Sequence, residues 1–246
     1  MALNPLAPVT DYQSMLNRIF WFTTAAALGA VWLLRRNVPA IDAALSPLDQ
    51  AIAWGASNGL PTRAGDLLPA LGIGVITRVF HVHARLSDWL LIRETFDVDV
   101  IISEFARQLS IDLSPFGDEE LRRARHGLMR AAFYPFVSGP QPAIDRQLVE
   151  QALDAWSWFW VGLEAAFLFV VASFVLIAAG VNPIGLQTLV GSLLIATVAL
   201  PAIRRQCRRY AIAQVRAILA DAARTAAARS AFTHLTGERT HVRLAA

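Results

Sequence analysis

Two long apolar runs near the C-terminus, Gly162–Gly180 and Ile184–Ile203, constrain this chain more than any other feature in it. Only Glu164 and Ser173 interrupt the first, and the second carries no charge. A helix of roughly 20 apolar residues crosses a bilayer, and Gly180-Val181-Asn182-Pro183 between the runs is a turn sequence. The pair therefore predicts a transmembrane helical hairpin, the arrangement in which each segment satisfies its own backbone in lipid. Trp156, Trp158 and Trp160 ahead of it, and Arg204, Arg205, Arg208 and Arg209 behind it, supply interfacial aromatics and headgroup cations.

Two weaker segments precede it. IFWFTTAAALGAVWLL, between Arg18 and Arg35-Arg36, holds no internal charge, and both ends can snorkel. It ends in arginines rather than a small-residue cleavage site, so it reads as a retained anchor. Leu67–Phe80 is short, but Pro69, Gly72 and Gly74 suit a packed membrane helix, with Arg78 reaching the surface. Between them, Ile41, Leu45, Leu48 and Ile52 form a helical stripe with Asp42 and Asp49 off it, an amphipathic helix ended by Gly55, Gly59 and Pro61. His81–Leu113 predicts a helical region, and Asp118-Glu119-Glu120 opens another helix where the macrodipole favours acids. Pro135, Gly139, Pro140 and Pro142 read as a linker, and a helical tail follows over about 210–232 with Ile212, Val215, Ile218 and Leu219 on one face.

The expected class is thus all-α: a polytopic integral membrane protein with four transmembrane helices, three being the alternative, and a cytoplasmic helical layer. Residues 1–84 form an N-terminal membrane region with spans at about 18–36 and 66–83 and an outer helix at 39–58. Residues 85–150 are cytoplasmic, 151–203 are the hairpin, and 204–246 are a cytoplasmic helix and tail. Composition agrees, since 55% of residues are apolar and 17% charged, against roughly a quarter charged in soluble domains. All 22 basic residues are arginine, which with the alanine content fits a GC-rich bacterial genome. Eight arginines fall between Arg85 and Arg146 and nine from Arg204 onward. Both sets lie inside in either topology, as the positive-inside rule requires at a cell inner membrane. Four spans place the N-terminus inside, and three place it outside.

Glu164 is the most pointed residue. An ionisable group at membrane depth faces a bundle interior, a water path or a partner; here it lines a pore or pairs with Arg204 or Arg205. Gln187, Thr188 and Ser192, with Thr197, are pore-lining or interhelical candidates. Arg122, Arg123, Arg125 and Arg130 are candidates for a cytoplasmic ligand or phosphate. Arg204–Arg209 suit lipid headgroups and topology. Asp97 and Asp99 stand on different helical faces and lack a cation-loop spacing, so capping or pairing with Arg93 and Arg107 is expected. His81 and His83 alternate, which does not suit an i, i+4 metal pair, and the single Cys207 excludes Cys-based metal sites and an internal disulfide. No nucleophile–base pair, P-loop or Rossmann fingerprint occurs. A non-enzyme is expected, with no catalytic residue, metal or cofactor and no DNA duplex binding.

In size, span distribution and the RETFDV stretch (Arg93–Val98) that follows a membrane segment, the chain resembles the multi-pass membrane effectors of bacterial nucleotide-signalling antiphage defence systems. The resemblance implies a homo-oligomeric channel or membrane-disrupting effector gated by a cytoplasmic nucleotide or partner protein. Arg122–Arg130 would then contact the ligand and Glu164 the pore. A structural scaffold subunit of a secretion or conjugation apparatus is the alternative.

Overall fold

Asp11 starts the first helix. Its carboxylate accepts the Ser14 N–H at 2.6 Å, while Ser14 Oγ accepts the Asp11 N–H at 3.0 Å, a reciprocal capping box. The computed structural model describes residues 6–51, 64–138 and 141–244, without the side chains of 51 and 234–244, and its regular structure is entirely helical. The turn expected at Gly55, Gly59 and Pro61, with Ile52 and Arg63, lies outside the described residues, as do Gly139 and Pro140 of the linker.

The helices are α1 (Tyr12–Asn37), α2 (Pro39–Ala51), α3 (Ala64–Val79), α4 (Val82–Trp89) and α5 (Ile92–Phe96), then a π-helical segment Asp97–Ile102 continuing into α6 (Ser103–Leu109). After these come α7 (Asp118–Ala132), the single turn α8 (Tyr134–Val137), α9 (Arg146–Ala178), α10 (Asn182–Leu219) and α11 (Ala222–Leu244). The chain divides into two compact units, Met1–His83 with Ala155–Arg204, and Ala84–Asp154 with Arg205–Ala246.

In the first unit α1 and α3 pack closely because small residues face each other. Ala27 and Ala70 are fully buried, and a Cβ on Gly74 would fall 2.1 Å from Thr24 Oγ1. The Gly74 contact is the small-residue packing that lets helix backbones come together in membranes, and Gly29 of α1 faces Phe169 of α9 at ordinary contact distance. Between α9 and α10 the chain reverses through Gly180 at φ 82°. The Val181 N–H bonds the Leu176 carbonyl at 2.9 Å and the Gly180 N–H bonds Ile177 at 3.0 Å, a Schellman motif. A Cβ on Gly185 would lie 2.7 Å from Ile177, so glycine there keeps the reversal tight.

Two helices, α9 and α10, are long and apolar enough to cross a membrane. The pair α3 and α4, bent by 59° at the break between them, makes a third only if taken as one broken segment. Helix α1 is not among them; two Trp, two Thr and flanking arginines dilute its apolar run.

The second unit is built on Phe105, which meets Phe133 and Phe232 at ring-centroid separations of 6.5 and 6.4 Å. Its buried positions recur at 96–98, 101/102 and 104–106. That wide repeat is the signature of the π segment, where sequence periodicity had indicated ordinary helix. Ser103 Oγ donates to the Val98 carbonyl at 2.8 Å within it. His81, Leu91 and Ser110 take left-handed φ values of 48°, 52° and 56° and break the expected His81–Leu113 region into short helices. The tail is likewise divided, because Asp221 accepts the Arg224 N–H at 2.9 Å and starts α11.

Candidate functional site

Helix α1 carries two buried arginines, Arg18 and Arg35, 5% and 6% exposed. Their seventeen-residue separation corresponds to about 25 Å of helix. Neither snorkels as the sequence suggested. Arg18 donates to Ser157 Oγ at 3.0 Å and to the Ala7 carbonyl at 2.8 Å, and its guanidinium lies 5.1 Å from the Trp158 ring centroid. Arg35 divides its donors among three carboxylates: Nε to Asp42 at 2.6 Å, one terminal nitrogen to Asp66 at 3.2 Å, and the other to Asp49. Asp42 and Asp49, seven residues apart, thus share the face of α2 that meets Arg35, where the apolar stripe had set them aside. Arg36, by contrast, is exposed and lies 5.5 Å from the Trp32 ring.

Glu164 lies nearer the Arg18 end. It is 2% exposed, and Thr23, fully buried on α1, donates its hydroxyl to Oε2. Oε1 is buried and accepts no hydrogen bond among the described residues. The His83 backbone N–H is turned toward the carboxylate outside bonding geometry. The partner is therefore a threonine 141 positions away, and the pairing with Arg204 or Arg205 is not seen; both are exposed, as are Arg208 and Arg209.

Beside Glu164 a cavity of about 160 Å³ opens within the first unit. Leu16, Ile19 and Phe20 of α1 form its apolar wall, and Gln13, Thr77, Arg78, His81 and His83 complete it. The Arg78 guanidinium sits 5.7 Å from the Phe20 centroid and reaches the Leu16 carbonyl at 3.4 Å. His83 is buried edge-on to Trp160, at 6.2 Å between ring centroids, and His81 is exposed at the rim. Among the described residues Glu164 is the one carboxylate in this lining. Among the described residues no three His, Cys, Asp or Glu side chains are placed to hold a metal ion.

Gln187, Thr188 and Ser192 do not line this cavity. Gln187 is exposed on α10, while Thr188 and Ser192 donate to the Ile184 and Thr188 carbonyls of their own helix at 2.8 and 2.6 Å. In the second unit, three of the four candidate ligand arginines face acids. Arg122 lies 3.5 Å from Glu94, Arg123 bonds Glu119, and Arg125 lies 3.2 Å from Asp97. Arg130 is exposed. An incoming anion would have to displace carboxylates from the first three. Asp97 is buried while Asp99 is exposed, and burial pushes the Asp97 carboxyl up to about 6 despite Arg93 and Arg125. Glu104 goes the other way, held at about 2 chiefly by the Arg107 hydrogen bonds.

The cavity residues Gln13 and Thr77 and the partner Thr23 were not singled out from sequence, and Arg78 was expected to reach the surface rather than to line a cavity. Their one visible signal was Thr23-Thr24 inside an otherwise apolar run.

Residues 11–234, most of the chain, match the YmfE protein family, and the chain belongs to that family. No curated protein and no solved structure matches it.

Proposed function

We propose that this member of the YmfE family is an integral membrane channel, gated from the cytoplasmic side, with Glu164 as its gating residue. The observation that carries the reading is a buried, half-satisfied carboxylate lining a cavity in the most apolar part of the chain. Keeping an ionisable group in such surroundings is costly, and where one persists it marks a pathway or a switch. In this reading α1, residues 66–83, α9 and α10 are the four spans, the membrane is the inner membrane, and the arginine-rich 84–154 and 205–246 lie in the cytoplasm. In this reading gating passes through α9 and α10, whose sequences run across the division between the two units.

In this reading the described arrangement is the closed state. Between Thr24 and Arg35 the buried residues of α1 are Ala27, Ala30 and Val31, all apolar. The pathway runs beside Glu164 within each protomer, because the glutamate faces α1 rather than an outer surface. In this reading the channel is a homo-oligomer whose subunits meet through the apolar face of α10, where Leu186, Val190, Leu194 and Val198 are exposed. A cytoplasmic nucleotide is the trigger that the antiphage resemblance implies, and it would compete with Glu94, Glu119 and Asp97 for the α7 arginines.

Ion flux into proteoliposomes, compared between the wild type and Glu164→Gln, tests the reading. The neutral variant should change the flux or its dependence on pH at least severalfold. Folded wild-type protein that passes no ion at any pH or nucleotide concentration sinks the channel. A scaffold subunit is the second reading, favoured by the exposed Trp89, Leu90 and Leu91 of the second unit, a patch of the kind that docks a partner.

A further inference from the structure

We propose that the cavity beside Glu164 binds a phosphoethanolamine group, its ammonium on Glu164 and its phosphate at Arg78 and His81. The inference rests on the membrane reading of the first unit and is independent of conduction.

The deep end of the cavity demands a donor. Glu164 Oε1 is buried without a hydrogen-bond partner, and a buried acceptor left in that state is unfavourable until an N–H or O–H reaches it. A primary ammonium supplies that donor together with the compensating charge. The rim demands the opposite sign: Arg78 and His81 are basic, and among the described residues no acid other than Glu164 lines the site. A simple anion would meet Glu164, and a simple cation would meet Arg78. A zwitterion with its charges a few bonds apart satisfies both ends at once. Leu16, Ile19 and Phe20 between them suit the two intervening methylenes. The volume of about 160 Å³ is several times the ~30 Å³ share of one liquid water, ample for a headgroup.

Two sources can supply this chemistry, a phospholipid or a free zwitterion. The surroundings favour the lipid. Val75, Ile76, Val79 and Phe80, which flank the rim residues along the chain, are all large, apolar and exposed, so acyl chains can lie along α3 while the headgroup enters.

The test uses full-length protein in detergent micelles doped with phosphatidylethanolamine, phosphatidylcholine or phosphatidylglycerol, with bound lipid counted by native mass spectrometry. The choline headgroup keeps the charge but offers no N–H to Oε1. Retention of phosphatidylethanolamine should exceed that of phosphatidylcholine roughly tenfold or more, as a charge-assisted hydrogen bond implies. Glu164→Gln and Arg78→Gln should each erase most of that preference, while Gln187→Leu, outside the cavity, keeps it. Arg78 is only half-buried, so its variant tests the site even if Glu164→Gln fails to fold. Displacement of intrinsic fluorescence by free O-phosphoethanolamine, without any lipid preference, supports the same site chemistry and assigns it to a soluble source. Equal retention of the three lipids with no response to free O-phosphoethanolamine overturns the inference, as does a preference that survives both cavity variants. Altered flux in Glu164→Gln without any headgroup preference would refute this site and leave the channel standing; the converse result would do the reverse.

Discussion

Replacing Arg35 by methionine is the most severe single perturbation that the first unit invites. The substitution keeps much of the side-chain volume and removes the cation that Asp42, Asp49 and Asp66 share among the described residues. Their side chains are 50%, 24% and 9% exposed, so the three contacts are not equivalent. Asp42 is half in water, and its pair with Arg35 is worth at most about 1 kcal/mol. Asp66 is buried, and removing the partner of a buried charge costs about 3–5 kcal/mol. Asp49 lies between, and it keeps the Gly65 N–H at 2.7 Å after the arginine is gone. Arg35→Met should therefore destabilise the protein by about 3–5 kcal/mol, dominated by Asp66. Unfolding in mixed micelles by increasing SDS fraction, followed by near-ultraviolet circular dichroism, measures this. Adding Asp66→Leu to Arg35→Met should recover a large part of the loss. An Arg35→Met protein within about 1 kcal/mol of the wild type would refute the reasoning, since it lies below the cost of leaving one buried carboxylate unpaired. So would an Asp42→Asn effect larger than that of Asp66→Asn.

Thr23→Val leaves both Glu164 oxygens without a side-chain donor and should cost about 1.5–3 kcal/mol in the same unfolding assay; no loss would mean that the carboxylate is satisfied otherwise. Gly74→Val must push Thr24 and Phe20 aside and should cost about 1–3 kcal/mol or more, whereas Gly72→Ala, with nothing within 4 Å of the added carbon, should be neutral or slightly stabilising. In the second unit, Asp97 binds its proton more tightly folded, at about 6, than at its ordinary 3.8, so it lowers stability as pH rises from about 4 to about 6. Glu104 is depressed from 4.5 to about 2, so its stabilisation is present above about 4.5 and lost as pH falls toward 2. Hydrogen exchange across residues 92–132 should show greatest protection near pH 4, and Asp97→Asn should flatten the upper limb; unchanged protection between pH 4 and 6 in the wild type would contradict the burial of that carboxylate.

Helices α9 and α10 were legible because length and apolarity are properties of a single segment, and Gly180 with Pro183 marks the reversal without help from elsewhere. Helix α2 shows the limit of that reasoning. Its stripe was visible, but Asp42 and Asp49 looked solvated because the residue that holds them, Arg35, belongs to another helix. The same holds for Glu164, whose position inside an apolar run could be read while Thr23 could not. Arg122 and Arg125 stood out as free cations only because Glu94 and Asp97 lie on a different helix, brought opposite them by the fold. The π segment was missed since Phe96, Val100/Ile101 and Phe105 also satisfy a loose 3.6-residue pattern.

The burial of Arg18 and Arg35 gives α1 fixed ends. A membrane helix usually meets a thicker or thinner bilayer by tilting or by letting its terminal arginines slide toward the headgroups. Here both guanidiniums are committed to protein partners, about 25 Å apart along the helix. That is shorter than the ~30 Å hydrocarbon core of an average bilayer. In the proposed four-span arrangement the adjustment therefore falls on the lipid, which would thin around α1, and the protein should then be most stable in short-chain bilayers.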